Sequence, residues 1–214
     1  MSNGAPLTDY DKFVGQIAEW ANRADWSPDL LASFVRMAEQ KLNSELRIDR
    51  MIQFDDGLIL NRCAPLPDDW LEMDLVRMAS SAGADGFVPI RYKSRDEFFN
   101  LTDSRALNYY TIEGRQIYFG GTPNPTNGTE FKIAYYAEVP VFSPAQPSWI
   151  FTKYPNLYLF AALMHTALHA VGEEQSAANY KQLTEDMITK LNNDHRLAKA
   201  SGSRVTRPRG RSFG

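Results

Sequence analysis

The stretch YYTIEGRQIYF, Tyr109–Phe119, decides the fold class. Aromatic and β-branched residues flank a two-residue Glu113-Gly114 turn, which is the pattern of a β-hairpin. After the loop GGTPNPTNG comes TEFKIAYYAEVPV, which keeps the period of two. There Phe131, Ile133 and Tyr135 point one way and Glu130, Lys132 and Ala134 the other. From Leu107 onward the sequence therefore predicts three antiparallel strands in a meander, with one face on a core.

Upstream, residues 50–106 are less regular. LPDDWLEMDLV and FVPIRYK are short apolar pieces among prolines, glycines and charges. They predict a brief strand around Met51–Phe54 and another around Ile90–Lys93. SRDEFFNL reads as one or two helical turns capped by Ser94.

Both ends of the chain carry helical spacing instead. Thr8 is the expected N-cap of a first helix, with Asp9 and Asp11 in its first turn. Tyr10, Phe13, Val14, Ile17, Trp20 and Ala21 form its apolar face, and it should end near RADW. Ser27, Pro28 and Asp29 open a second helix with the stripe Leu31, Phe34, Val35, Ala38 and Leu42; Glu39, Lys41, Asn43, Glu45 and Arg47 lie mostly off that stripe. The short link between the two predicts an antiparallel pair. After the Pro-rich crossing FSPAQPSW, Pro155 opens a helix to about Val171, ended by Gly172, with the stripe Leu157, Ala161, Met164, Leu168 and Val171. A last helix is expected from about Glu174 to Ala200, on the stripe Tyr180, Leu183, Met187 and Leu191.

The expected fold class is α+β: a helical bundle formed by the N- and C-terminal helices, with a small antiparallel β-meander lobe inserted between them and a flexible C-terminal arm. The expected boundaries are 1–49 for the first helical pair, 50–148 for the irregular and β lobe, 149–200 for the helical hairpin completing the bundle, and 201–214 for an extended basic arm.

Composition bounds the function. At 43% hydrophobic and 23% charged residues the chain is globular, and its 214 residues suit one domain or two small lobes. The formal net charge is −3, yet the last fourteen residues hold four arginines and no acid, so residues 1–200 carry −7. An acidic body repels DNA phosphates, whereas the tail attracts them. The single cysteine, Cys63, allows no internal disulfide and no cysteine-held zinc, and predicts folding in a reducing compartment. The N-terminus lacks a signal pattern and no apolar run reaches the ~18 residues of a membrane span, so a soluble protein is expected.

Residues that carry chemistry elsewhere are sparse. His165 and His169 are four apart, with Glu173 at the same interval, a spacing that can hold a metal on one helix face. The zincin pattern needs a glutamate where Thr166 stands, and Gly172 should end the helix before Glu173. Core or interface histidines are the plainer reading. Asp68, Asp69, Glu72 and Asp74 form an acidic cluster that reads as a helix cap or a solvated face rather than a catalytic pair. Cys63 has no histidine beside it in sequence, and FGGTPNPTNG lacks the Gly-Lys-Ser/Thr ending of a phosphate loop. The aromatic residues Tyr109, Tyr110, Tyr118, Phe119, Tyr135, Tyr136, Trp149, Phe151, Tyr154 and Tyr158 have few basic partners, which favours core packing and protein interfaces over base stacking. No catalytic residue, metal or cofactor is assigned. The tail SGSRVTRPRGRSFG cannot bury enough surface to fold alone. It is either a solubilising end or an arm that orders on a partner, with Arg204, Arg207, Arg209 and Arg211 meeting acidic groups and Phe213 entering an apolar pocket. Fully extended it spans about 45 Å.

The sequence also resembles a known family. YDKFVGQIAEWANRADW, FVRMAEQKLNSELRIDRM, LPDDWLEMDLV, YTIEGRQIYF, FKIAYYAEVPVFS and WIFTKYPNLYLFAALMHTALHAVGEEQSAANY, in this order, resemble the head-to-tail connector adaptors of tailed bacteriophages, those of short-tailed phages above all. The resemblance implies a structural, non-enzymatic virion protein, made in the host cytoplasm and placed at the neck. It implies a ring, dodecameric in expectation, between the portal and a tail or nozzle protein. Double-stranded DNA would pass through the ring without sequence-specific binding, and the packaged genome would be retained. It implies an arm reaching the portal. Asp55, Asp56, Asp68 and Asp69 are then candidates to line the channel. Three other readings stay open at this point: another neck ring, such as a head-completion or tail-completion protein; a small DNA-binding accessory protein that uses the basic tail; and a metal-dependent enzyme built on His165 and His169.

Overall fold

The computed structural model describes residues 9–80, 86–100, 108–121, 124–170 and 172–202. Thr8, Val171 and the arginines and phenylalanine of the arm (Arg204, Arg207, Arg209, Arg211, Phe213) lie outside the described residues. The chain divides into two compact units, Met1–Asp49 with Val139–Gly214, and Arg50–Glu138. The fold is α+β, with helices from both ends of the chain and strands in the middle.

The first unit is helical. α1 spans Asp9–Trp20 and stops earlier than RADW. Asn22 takes the left-handed conformation (φ 51°), its amide bonds Glu19 O, and the Arg23 amide reaches back to Ala18 O. This pair of bonds closes the helix as a Schellman motif does. α2, Pro28–Glu45, starts as expected: the Ser27 side chain accepts the Leu30 amide at 3.3 Å, with Pro28 in the first turn. α4, Trp149–Lys153, is a further short helix capped by Ser148. It breaks at Tyr154, because a residue before proline is driven out of the helical region. α5, Pro155–His169, is buried almost all round, from Leu157 through Leu163 to Ala167. Its expected stripe is therefore only part of its buried surface, and Leu168 is exposed. α6 runs Glu174–Gly202 and buries Ala177, Thr184, Ile188 and His195, while Leu183 of the expected stripe faces out.

Glu39 is only 6% exposed, although the sequence placed it off the stripe. It accepts the Tyr158 hydroxyl at 2.7 Å and the Phe142 amide at 2.5 Å. One turn on, Asn43 Oδ1 accepts the Val139 amide at 2.8 Å. Two polar side chains of α2 thus hold the returning segment against the helices, and Tyr10, Phe13, Phe142, Phe151 and Tyr158 pack ring to ring beside it.

The second unit is a sandwich of two four-stranded sheets. After a 3-10 turn at Asp49–Met51 come β1 Ile52–Leu58, β2 Cys63–Pro65, β3 Trp70–Ala79, β4 Phe87–Pro89, β5 Arg91–Tyr92, a short α3 Arg95–Asn100, β6 Tyr109–Glu113, β7 Gln116–Gly120 and β8 Glu130–Ala137. One sheet has the order β1-β8-β3-β4 and the other β2-β7-β6-β5. The β6–β7 hairpin forms, with Glu113 opposite Gln116 and Gly114 at φ 60° as the first turn residue. Glycine takes such a φ without the steric cost of a Cβ.

The third strand of the expected meander goes elsewhere. β8 pairs with β1 and β3 rather than β7, because the long loop after β7 lets the chain cross to the other sheet. β3 is the element the sequence concealed. Its pairing with β8 shifts between Trp70/Glu72 and between Met73/Leu75, so its side chains do not alternate cleanly. β5 and β6 form a parallel pair. Val76, Met78, Ile90, Tyr110, Ile117, Phe119, Phe131, Ile133 and Tyr135 fill the space between the sheets, with the Phe119 and Phe131 rings 5.1 Å apart.

Candidate interaction surfaces

The strand orders give the sandwich two flanks. β1 and β2 follow one another along one edge of the two sheets, and β4 and β5 along the other. Each flank carries exposed apolar side chains. On the first, Phe54 is 80% exposed and Leu58 53%, with Leu60 exposed between β1 and β2. On the second, Val88 is 41% exposed and Tyr92 57%. These five residues were not singled out by sequence. Nothing short of the strand order distinguishes an edge phenylalanine from a core one.

The four acidic candidates do not form one cluster. Asp55 and Asp56 are neighbours on β1, so strand alternation sends them to opposite faces: Asp55 stands opposite Ile133 and Asp56 opposite Lys132. The Lys132 ammonium lies 4.3 Å from the centre of the Phe87 ring, and so leans toward β4. Asp68 meets Arg115 at 3.1 Å in an exposed pair, the kind worth little to stability. Asp69 accepts the Tyr135 hydroxyl at 3.0 Å, and its backbone oxygen accepts the Glu138 amide at 2.7 Å. Burial pushes the Tyr135 hydroxyl up to about 12, with the hydrogen bond and charge of Asp69 and then the charge of Asp55 adding to it. Asp55 and Asp69 therefore act on one buried phenol, while Asp68 is turned to a cation.

The histidine row does not continue to Glu173. α5 ends at His169, and Gly172 takes φ 86°. Glu173 instead opens α6: its carbonyl accepts the Ala177 amide and its carboxylate the Ser176 hydroxyl at 2.6 Å. The His169 ring packs edge-on against Trp26 and Phe34. His165 is half-buried and its pKa is lowered, first by burial and then by Lys41, against a hydrogen bond to the Met37 backbone. Among the described residues no group of three or more His, Cys, Asp or Glu is placed to hold a metal. Cys63 Sγ contacts Leu60 O at 3.4 Å on the β1–β2 side. The aromatics Tyr109, Tyr110, Phe119, Tyr135 and Tyr136 are buried.

Asp68, Asp69, Glu173 and His169 are tied to structural partners, and exposed apolar groups stand on both sheet edges as well as on the helices, where Trp20, Leu168 and Leu197 face out. These are the surfaces of a protein built for assembly. A model of the SU10 adaptor protein family matches residues 8–209, nearly the whole chain, and the chain belongs to that family. The resemblance to phage head-to-tail adaptors is thereby borne out, and with it a structural role at the virion neck and a portal and a tail protein as its neighbours. A search of curated proteins finds no match to the chain. No helix among the described residues is long and apolar enough to cross a membrane.

Proposed function

We propose that copies of this chain assemble into a ring, dodecameric in expectation, between the portal and the tail or nozzle protein. Through it DNA leaves the head, and with it in place the packaged genome is retained. The observation that carries the reading is the family match across residues 8–209. The charge distribution supports it. A conduit must not grip what passes through, since every phosphate contact resists movement, and residues 1–200 carry −7. Asp68 and Asp69, leading into β3, are candidates for the channel wall. Asp55 and Asp56 lie on an open strand edge, where a neighbouring subunit would cover them.

The arm is assigned to the portal. Arg204, Arg207, Arg209 and Arg211 would pair with acidic portal side chains and Phe213 would anchor in an apolar pocket, adding contacts that act as a second, tethered binding event. Co-sedimentation with portal particles tests this. The full chain should bind and a chain lacking residues 201–214 should bind more weakly; undiminished binding refutes the arm's role. Electron micrographs of the same mixtures test the ring. A mobility-shift assay addresses the accessory-protein reading, which requires tight DNA binding that depends on residues 201–214.

A further inference from the structure

We infer that neighbouring subunits join head to tail through the two flanks of the sandwich, the β1–β2 flank of one copy docking on the β4–β5 flank of the next. The inference rests on the ring reading and names the surface that closes the ring.

A closed ring needs two different, complementary patches on each subunit, one for each neighbour. The sandwich supplies two such patches on opposite edges of the same sheets. Their apolar parts are alike: Phe54 and Leu58 on one, Val88 and Tyr92 on the other, each exposed by 41% or more. Exposed aromatic and aliphatic side chains grouped in this way mark the centre of an interface.

Their charges are opposite. Ile52–Leu58 contains Asp55 and Asp56 and no cation, whereas Phe87–Tyr92 contains Arg91 and no acid. Asp55, Asp56 and Arg91 are all exposed. Three cations near these flanks are directed elsewhere. Lys93 faces Glu97 at 3.7 Å and Arg95 faces Glu113 at 3.2 Å. On the acidic flank Arg62 Nε donates to Phe119 O at 3.3 Å.

The same charges argue against the commonest alternative, a two-fold dimer. Pairing two β1 strands antiparallel would set Asp55 and Asp56 against their own copies, and like charges directly opposed on adjacent strands are destabilising. Pairing two β4–β5 flanks would do the same with Arg91. A head-to-tail contact instead sets aspartate against arginine.

Edge design agrees. β4 is blunted, being three residues long and ending in Pro89. β1 has seven residues and neither proline nor lysine. Among the described residues no strand pairs with its outer side, and the two aspartates are what discourages wrong partners there. The occupant is therefore a second copy of this chain, recognised by one apolar pair and one arginine.

The experiment uses the full chain mixed with portal particles. Rings are counted in electron micrographs, and bound chain is measured by co-sedimentation. Asp55→Arg with Asp56→Arg should reduce ring occupancy at least about tenfold, and Arg91→Asp should do the same, because each sets like charges together. The triple variant carrying all three reversals should assemble to within about twofold of the unaltered chain. A second readout does not depend on charge. With Cys63→Ser, the pair Asp56→Cys and Arg91→Cys should give a ladder of disulfide-linked oligomers on oxidation. If the unaltered chain forms no ring on portal particles, the ring reading fails and this inference falls with it. Rings that ignore either reversal, a triple variant that is not rescued, or rings that yield no ladder overturn the flank assignment alone.

Discussion

The Tyr158 hydroxyl donates to Glu39 Oε1 across 2.7 Å inside the helical unit, and the same oxygen accepts the Phe142 amide at 2.5 Å. Burial holds the Tyr158 hydroxyl far above its ordinary pKa, with the charge of Glu39 and the hydrogen bond adding to the effect, so the phenol remains a donor at any working pH. One carboxyl group thus satisfies two buried donors from separate parts of the chain.

Removing it should be costly. Glu39→Ala leaves both donors unsatisfied and opens a void, and should lose about 3 kcal/mol or more of unfolding free energy. Tyr158→Phe removes one donor and should lose about 1.5–3 kcal/mol. Glu39→Gln keeps an acceptor oxygen and should lose least. Urea denaturation of the three variants gives the order; a stable Glu39→Ala protein contradicts it.

His165 should make the protein acid-sensitive. Its ring is half-buried, Nε2 is buried without a hydrogen-bond partner, and Lys41 lies close enough to oppose a positive charge. Lys41 itself is held by Glu45 at 2.6 Å and Glu185 at 3.4 Å, so it stays charged beside the ring. The folded chain therefore takes up this proton less readily than the unfolded chain. Where the unfolded state binds more protons, stability falls as pH falls, here from about 6.5 downward until the lowered folded value is passed. His165→Gln should flatten that decline between pH 7.5 and 5.5, relative to the unaltered chain measured alongside. His195, 2.7 Å from Asp49, is common to both proteins and drops out of the difference. An unchanged slope contradicts the assignment.

The helices were legible because their signals are local. Ser27-Pro28 and the apolar stripe of α2 fix that helix without reference to anything distant. The same stripe could have flagged Glu39, which lies four residues after Val35 and three before Leu42. It escapes a sequence reading because a carboxylate reads as solvent-facing until its donors, Phe142 and Tyr158, are known. The strands were legible only where pairing is local. YTIEGRQIYF announces a hairpin, but β8 chooses β1 and β3, which lie more than fifty residues upstream, over β7 just before it. β3 was hidden by two register shifts and by Glu72 and Asp74, which break its apolar pattern. The flanks with Phe54 and Arg91 could not be read at all, since an edge exists only once the strand order is known.

Asn192 supplies the last test. Its Oδ1 accepts the Arg47 amide at 2.7 Å, and its Nδ2 donates to Glu45 O at 2.8 Å. Both groups belong to the end of α2, where the last carbonyls have no helical donor and the Arg47 amide has already left the helix. One amide side chain of α6 therefore does for this terminus what a cap does, and binds the two elements together. Asn192→Ala loses both bonds and should cost about 1–3 kcal/mol. Asn192→Asp keeps the acceptor for Arg47 but sets a carboxylate oxygen against the Glu45 carbonyl, so it should recover part of the loss at most. Amide exchange at Arg47 separates the two effects. It should quicken markedly in Asn192→Ala and much less in Asn192→Asp, whereas equal exchange in both would mean that the Arg47 amide does not depend on this side chain.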